Sequence, residues 1–208
     1  MHPFDTENYK IIIWDFDGVI INSMPIRDNG FATVLKDYPE NEVEQLMAYH
    51  KQNAGLSRYA KFKYFFETIR HENADETIIN NLAIRFKNIM LSSLIDEKLL
   101  IQDSLNFIKN NYQKYEMHIA SGSDQTELRT ICDALNLTIY FRSINGSPTP
   151  KIELVKKILH QYKYDNAVLI GDSINDYEAA IKNEIDFIGC NNPALIDFGK
   201  YYIEYIAS

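Results

Sequence analysis

The segment Lys10-Ile-Ile-Ile-Trp-Asp15-Phe-Asp17-Gly18-Val19 constrains this chain most. An apolar run of strand type ends in two carboxylates two residues apart, followed at once by a glycine. On a strand entering a turn, that spacing can bring both acids to one end of a sheet. One acid can attack an electrophile while the other moves a proton. A strand that delivers acids into a tight turn is a common way to build a site at the carboxyl edge of an open parallel sheet. The alternative is a strand-end turn in which Asp17-Gly18 is merely a favourable turn pair.

The rest of the chain supplies the sheet. No strand pattern occurs between about 22 and 95, where the spacing predicts helices over 24–36, 42–53, 57–70 and 75–93. Tyr59, Phe62, Phe66 and Ile69 share one helix face, as do Ile78, Leu82, Phe86 and Ile89 behind an Asp75 cap. Strands and helices then alternate. Helix 102–112 leads to strand 116–121, and Asp124 and Glu127 form a D-x-x-E helix start. A weaker strand at 138–144, helix 151–162, strand 166–171, a helix carrying Ala179 and Ala180, strand 186–190 and a last strand at 201–206 complete the pattern. Such alternation predicts a parallel sheet covered on both faces, with a helical block inserted after the first strand.

Composition narrows the functional classes. With 208 residues of which 46% are hydrophobic, the chain can build a packed core, either one domain with an insertion or two small domains. A net charge of -8 disfavours nucleic acid and anionic membrane as partners and suits carboxylates gathered around a divalent cation. Cys132 and Cys190 have no metal-type spacing and read as reduced, buried cytoplasmic thiols. No secretory signal and no membrane-spanning run is expected.

Three further clusters follow the first. Ser121-Gly122-Ser123 closes an apolar strand; Ser121, at the strand tip, and free backbone N–H groups there can hold an anion, while Ser123 or Asp124 reads as an ordinary helix cap. Lys151 heads a helix behind Pro148-Thr-Pro150, where it can reach a phosphate or simply lie in solvent. Gly171-Asp172-Ser173-Ile-Asn175-Asp176 places two acids four residues apart at another strand tip, suited to Mg²⁺ and to helix capping alike. Each cluster alone is explicable as capping. All four fall at strand-to-helix transitions, which share one edge of a parallel sheet.

Asp15-x-Asp17-Gly18-Val19, Ser121, Lys151 and Gly171-Asp172-Ser173-x-x-Asp176 together resemble the four ordered motifs of the haloacid dehalogenase-like superfamily. The helical block resembles the cap of its phosphoglycolate phosphatase and beta-phosphoglucomutase branch. That resemblance implies a Rossmann-like core at 1–21 and 96–208 and a helical cap at 22–95. It implies Asp15 as nucleophile, forming an aspartyl phosphate, and Asp17 as acid and base. Mg²⁺ would be held by Asp15, the Asp17 main-chain carbonyl and Asp172, with Ser173 and Asp176 in support. Ser121, the Gly122 amide and Lys151 would bind the phosphoryl oxygens. An Asp at position 17 argues against dehalogenation.

Gly55-Leu-Ser57-Arg58 resembles a cap loop of beta-phosphoglucomutase, which would give Arg58 a second anionic group of the substrate to read. The alternative is that Ser57 caps a helix and Arg58 is a surface residue. Arg27 stands where those mutases have a histidine and is placed to face the site mouth. The expectation is therefore a cytoplasmic Mg²⁺-dependent phosphatase, monomer or homodimer, acting on a small phosphorylated metabolite, a sugar or sugar-acid phosphate. A phosphohexose mutase is the alternative enzyme, and an idle binding protein on the same scaffold the alternative of another class.

Overall fold

A computed structural model of the chain describes residues 8–53, 55–162 and 166–204. Its centre is a six-stranded sheet in the order β3-β2-β1-β4-β5-β6, every adjacent pair parallel. The strands are β1 (Ile11–Trp14), β2 (Glu116–Asp124), β3 (Ser143–Ser147), β4 (Ala167–Gly171), β5 (Asp186–Cys190) and β6 (Tyr201–Ile203). β1 is apolar at all four positions because it is central and covered on both faces. Ile11 and Ile13 join Leu169 and Val155 on one side, while Ile12 and Trp14 join Val168 and Phe107 on the other. The Trp14 and Phe107 rings lie 5.7 Å apart. Helices α5 (Gln102–Asn111) and α6 (Gln125–Ala134) cover the Trp14 face, and α7 (Lys151–Leu159) and α8 (Ile174–Lys182) cover the Ile13 face.

Between β1 and β2 the chain forms α1 (Met24–Val34), α2 (Glu40–Gln52), α3 (Arg58–Tyr64) and α4 (Glu76–Leu94). Ser57 and Asp75 cap α3 and α4 through side-chain oxygens, as their positions predict. Phe31, Phe62 and Phe86 form the centre of this segment, with Phe31 4.4 Å from Phe86 and 5.4 Å from Phe62 between ring centroids. Burying one such ring contributes roughly 1.5–3 kcal/mol. The apolar cluster around these rings is continuous with the Trp14 face of the sheet.

Four local expectations need correction. The helix expected over 57–70 is α only to Tyr64, and Phe65–Ile69 widens into a π turn. Ile78 is 41% exposed; the buried stripe of α4 runs through Ile79, Leu82, Ala83, Phe86, Met90 and Leu94. Residues 138–140 form a 3₁₀ turn after Asn136, which adopts a φ of 56°, so Ile139 is exposed and β3 starts at Ser143. Helix α7 ends at Leu159. The final strand is described to Ile203; residues 205 and 206 of the expected strand lie outside the described residues. Among the described residues no helix is long and apolar enough to cross a membrane.

Candidate active site

All four motifs do end at the carboxyl edge of this sheet. Asp15 follows β1 and Asp172 follows β4, and the two strands are neighbours. The Asp15 N–H donates to the Ile170 carbonyl at 2.9 Å, extending the ladder up to the site. The turn then needs Gly18, which has a φ of 77°. A Cβ there would lie 1.9 Å from Asp172 Oδ2, so any side chain would drive into that carboxylate. Asn191 Nδ2 donates to the Gly18 carbonyl at 2.7 Å and Asn192 Nδ2 to the Asp172 carbonyl at 2.8 Å, bracing both loops from the end of β5.

Lys151 is 7% exposed, not a solvated side chain. Its Nζ lies 2.8 Å from Asp15 Oδ1 and donates to Asp176 Oδ1 as well. Ser173 donates to Asp176 Oδ2 through both its N–H (3.1 Å) and its Oγ (2.6 Å), so Asp176 serves the helix start and the lysine together. Carboxylate oxygens of Asp15, Asp172 and Asp176 lie within 4.8 Å of one another. Burial, then the charge of Asp176, raises the Asp15 carboxyl to about 7 despite Lys151. Burial and the charges of Asp15 and Asp176 hold Asp172 well above the usual carboxylate range. Burial opposes the charge on Lys151, but its two carboxylate partners outweigh that and raise it.

Three carboxylates facing one ammonium leave two negative charges uncompensated. That donor set fits a divalent cation with oxygen preference, and Asp15 and Asp172 have ligand capacity left, whereas Asp176 is committed to Lys151 and Ser173.

β2 changes register against β3 between Ala120 and Asp124, which takes Ser121-Gly122-Ser123 out of the regular ladder and toward Asp15 and Asp17. Ser123 is not the helix cap. Asp124 caps α6, and Ser123 Oγ instead donates to Asp17 Oδ2 at 2.6 Å. Ser121 Oγ accepts from the Ser123 N–H at 3.1 Å. Gly122 is required by close approach: a Cβ would sit 2.3 Å from the Gly55 carbonyl oxygen, where the loop before α3 rests on the sheet edge.

Asp17 Oδ1 accepts from Ser23 Oγ and from Arg27 Nε, the latter at 2.6 Å. Burial pushes its carboxyl upward, but Arg27 and the Ser123 and Ser23 hydroxyls outweigh this and hold it below the usual range. Arg27 therefore does more than face the mouth; it is buried on Asp17. Arg58 is 4% exposed, so the surface reading fails. It lines the cavity, but its Nη2 donates to Glu127 Oε2, and Arg27 Nη1 donates to Glu127 Oε1 at 3.2 Å.

Glu127, fully buried, is a residue that sequence reasoning assigned to helix capping. Its backbone N–H does bind Asp124, but its carboxylate turns away to the arginines. Lys61 and His50 also line the cavity, with Lys61 Nζ 2.8 Å from His50 Nδ1. The sequence shows only a Lys next to Phe62, and nothing local marks that pair. The cavity lined by these groups is partly open and holds about 30 Å³, enough for a water or two.

The family model described as haloacid dehalogenase-like hydrolase matches residues 12–190. The chain belongs to this family. Members thus include this protein, and other comparisons agree on its fold. A Thermotoga maritima protein named "Phosphorylated carbohydrates phosphatase" is 23% identical over 178 residues, covering 82% of this chain and 80% of its own. A structure described as a predicted phosphoglycolate phosphatase from Haemophilus somnus is 17% identical with a TM-score of 0.76, covering 96% of both chains. CbbY from Rhodobacter sphaeroides, solved with xylulose-(1,5)bisphosphate, is 12% identical with a TM-score of 0.77, again over 96% of both chains. At these identities the structural likeness speaks to the α/β fold with its parallel sheet, not to the substrate.

Proposed function

We propose that this haloacid dehalogenase-like hydrolase is a Mg²⁺-dependent phosphatase of a small phosphorylated carbohydrate or sugar acid, working in the cytoplasm. The observation that carries the reading is the meeting of Asp15, Asp172 and Lys151 at one sheet edge beside Ser121 and Asp17. The name of the Thermotoga maritima relative supports the substrate class, and the buried free thiols Cys132 and Cys190 support the compartment. In this reading residues 22–95 are a cap over a core of 1–21 and 96–208. The small size of the cavity supports a cap that opens to admit substrate and then excludes water.

Asp15 attacks phosphorus, and the bond to the ester oxygen breaks as the aspartyl phosphate forms. Asp17, once protonated, gives its proton to the leaving oxygen. Asp17 then takes a proton from a water that attacks phosphorus, releasing phosphate and restoring Asp15. The ionised Asp17 held by Ser23, Ser123 and Arg27 is the form that second half needs. Ser121, the Gly122 amide and Lys151 bind the phosphoryl oxygens and offset their charge. Asp15, the Asp17 carbonyl and Asp172 would hold Mg²⁺, with Ser173 and Asp176 fixing the surroundings; the ion supplies charge neutralisation of the transferring group. Hydrolysis of p-nitrophenyl phosphate is expected with Mg²⁺ and is expected to vanish with a chelator. Absence of turnover on this ester and on a broad panel of phosphorylated metabolites would favour an idle binding protein.

Metal removal also has a stability signature. Metal-free, Asp15 titrates near 7 when folded and near 3.8 when unfolded. Between those values the folded state holds the extra proton, so stability falls as pH rises from about 4 to about 7 and stays low above. At about 1.4 kcal/mol per unit, the loss is on the order of 4 kcal/mol. Mg²⁺ should therefore raise the melting temperature much more at pH 8 than at pH 5. An equal shift at both values would contradict a cation bound at these carboxylates.

A further inference from the structure

We infer that the group released with the phosphate is uncharged: the substrate is a phosphate monoester of a neutral polyhydroxylated compound, carrying no second phosphate and no carboxylate. This rests on the phosphatase reading above and narrows it from sugar or sugar acid to sugar.

Three cations of the helical segment line the cavity, Arg27, Arg58 and Lys61. Cations so placed would ordinarily mark a pocket for a second anion. Here the protein supplies that anion itself. Glu127 reaches across from α6 with a side chain that is fully buried, and its two oxygens take one guanidinium each. Arg27 is further tied to Asp17 through Nε. The remaining arm of Arg58 donates to the Ala83 carbonyl at 3.4 Å, and the Phe86 ring covers its face at 4.7 Å. Two guanidinium groups thus stand against two carboxylates in a buried site. Lys61 is engaged by His50, and burial together with the charge of Arg27 brings its ammonium down to about 7, so it is a weaker fixed charge than either arginine.

A second anion on the substrate would meet guanidinium groups whose charge Asp17 and Glu127 already offset, and could pair fully with them only by displacing Glu127. The displaced carboxylate has no other cation among its described contacts and would be left buried and unpaired, which is heavily disfavoured. A polyol displaces nothing. It needs hydrogen-bond donors, and one is ready: Arg27 Nη2 is buried with no hydrogen-bond partner among the described residues. The pairing also joins the helical segment to α6, so only a ligand that leaves it intact allows the cavity to close fully.

The experiment measures kcat/KM of the wild type with Mg²⁺ on a hexose monophosphate panel, the matching hexose bisphosphates and the matching phosphorylated aldonic acids, with p-nitrophenyl phosphate as common reference. The neutral monophosphates should be preferred at least tenfold over both anionic classes. Glu127→Gln frees the arginines and should shift the ratio of anionic to neutral substrates at least tenfold toward the anionic ones. A wild type that hydrolyses p-nitrophenyl phosphate yet prefers the bisphosphates or the sugar acids overturns this inference and leaves the phosphatase reading standing. So does a folded Glu127→Gln protein in which all classes change alike. No turnover of any ester defeats the phosphatase reading and this inference with it. Should Glu127→Gln fail to fold, the wild-type ratios decide.

Discussion

Asp15→Asn is expected to abolish phosphatase turnover, by a factor of about 10⁴ or more, while leaving the fold intact. The size follows from two losses at one atom. The amide is not a nucleophile, so the aspartyl phosphate cannot form, and removal of a catalytic nucleophile typically has effects of this order. One of the two carboxylates with ligand capacity for the cation is also lost, which weakens Mg²⁺ binding. The stability effect runs the other way. Asp15 is one of three mutually repelling carboxylates, two of them buried, and its own carboxyl is raised to about 7 by burial and by Asp176. Neutralising it relieves that repulsion, so the metal-free variant should melt at or above the wild-type temperature at pH 8 and close to it at pH 5. Circular dichroism melts and Mg²⁺ titrations check both points. A variant retaining more than a few per cent of wild-type turnover would remove Asp15 from the nucleophile's role. A variant that melts well below wild type at pH 8 would show that Asp15 stabilises the fold, against its placement here.

The sheet and the convergence of Asp15, Ser121, Lys151 and Asp172 were legible because each property is local. Apolar runs of four to five residues ending in small or acidic residues announce strand tips, and parallel topology brings those tips together. Lys151 is less local: helix-start position alone left solvent and phosphate open, and its burial comes from Asp15 and Asp176, which meet it only in the fold. Glu127 was hidden by its own sequence context. Asp124-x-x-Glu127 is the pattern of a capping box, and the backbone half of that box does form, so nothing local reveals that the carboxylate is directed elsewhere. Its partners Arg27 and Arg58 lie 100 and 69 residues away, on helices packed across the sheet edge. Ser123 and Asp124 were both candidates for one cap; Asp124 forms it, which leaves the Ser123 hydroxyl to Asp17. Periodicity likewise placed Ile78 on the stripe of α4, and the fold buries its neighbour Ile79 instead.

Lys151→Ala should lower turnover by about 10²–10³, the scale of losing one preorganised donor to a transferring group, and should destabilise the metal-free protein at pH 8 by roughly 3–5 kcal/mol. The lysine is the cation between Asp15 and Asp176, and alanine leaves both carboxylates buried without it. The pH dependence separates this from a simple loss of packing. The pKa of Lys151 is raised in the folded state, so its own contribution is present throughout pH 5–8 and is lost only at far higher pH. Any change within that window must come from the carboxylates. Without the lysine, Asp15 takes up a proton at still higher pH than before, so at pH 5 it is neutral and needs no partner. The destabilisation should therefore be smaller at pH 5 than at pH 8, since Asp176 loses its cation at both values but Asp15 only at the higher one, and Mg²⁺ should recover the part that belongs to Asp15. Urea unfolding at the two pH values, with and without Mg²⁺, reads all four states. Equal destabilisation in all of them would make Lys151 a packing residue whose charge is immaterial, since a missing aliphatic stem costs the same at every pH and is not replaced by an ion.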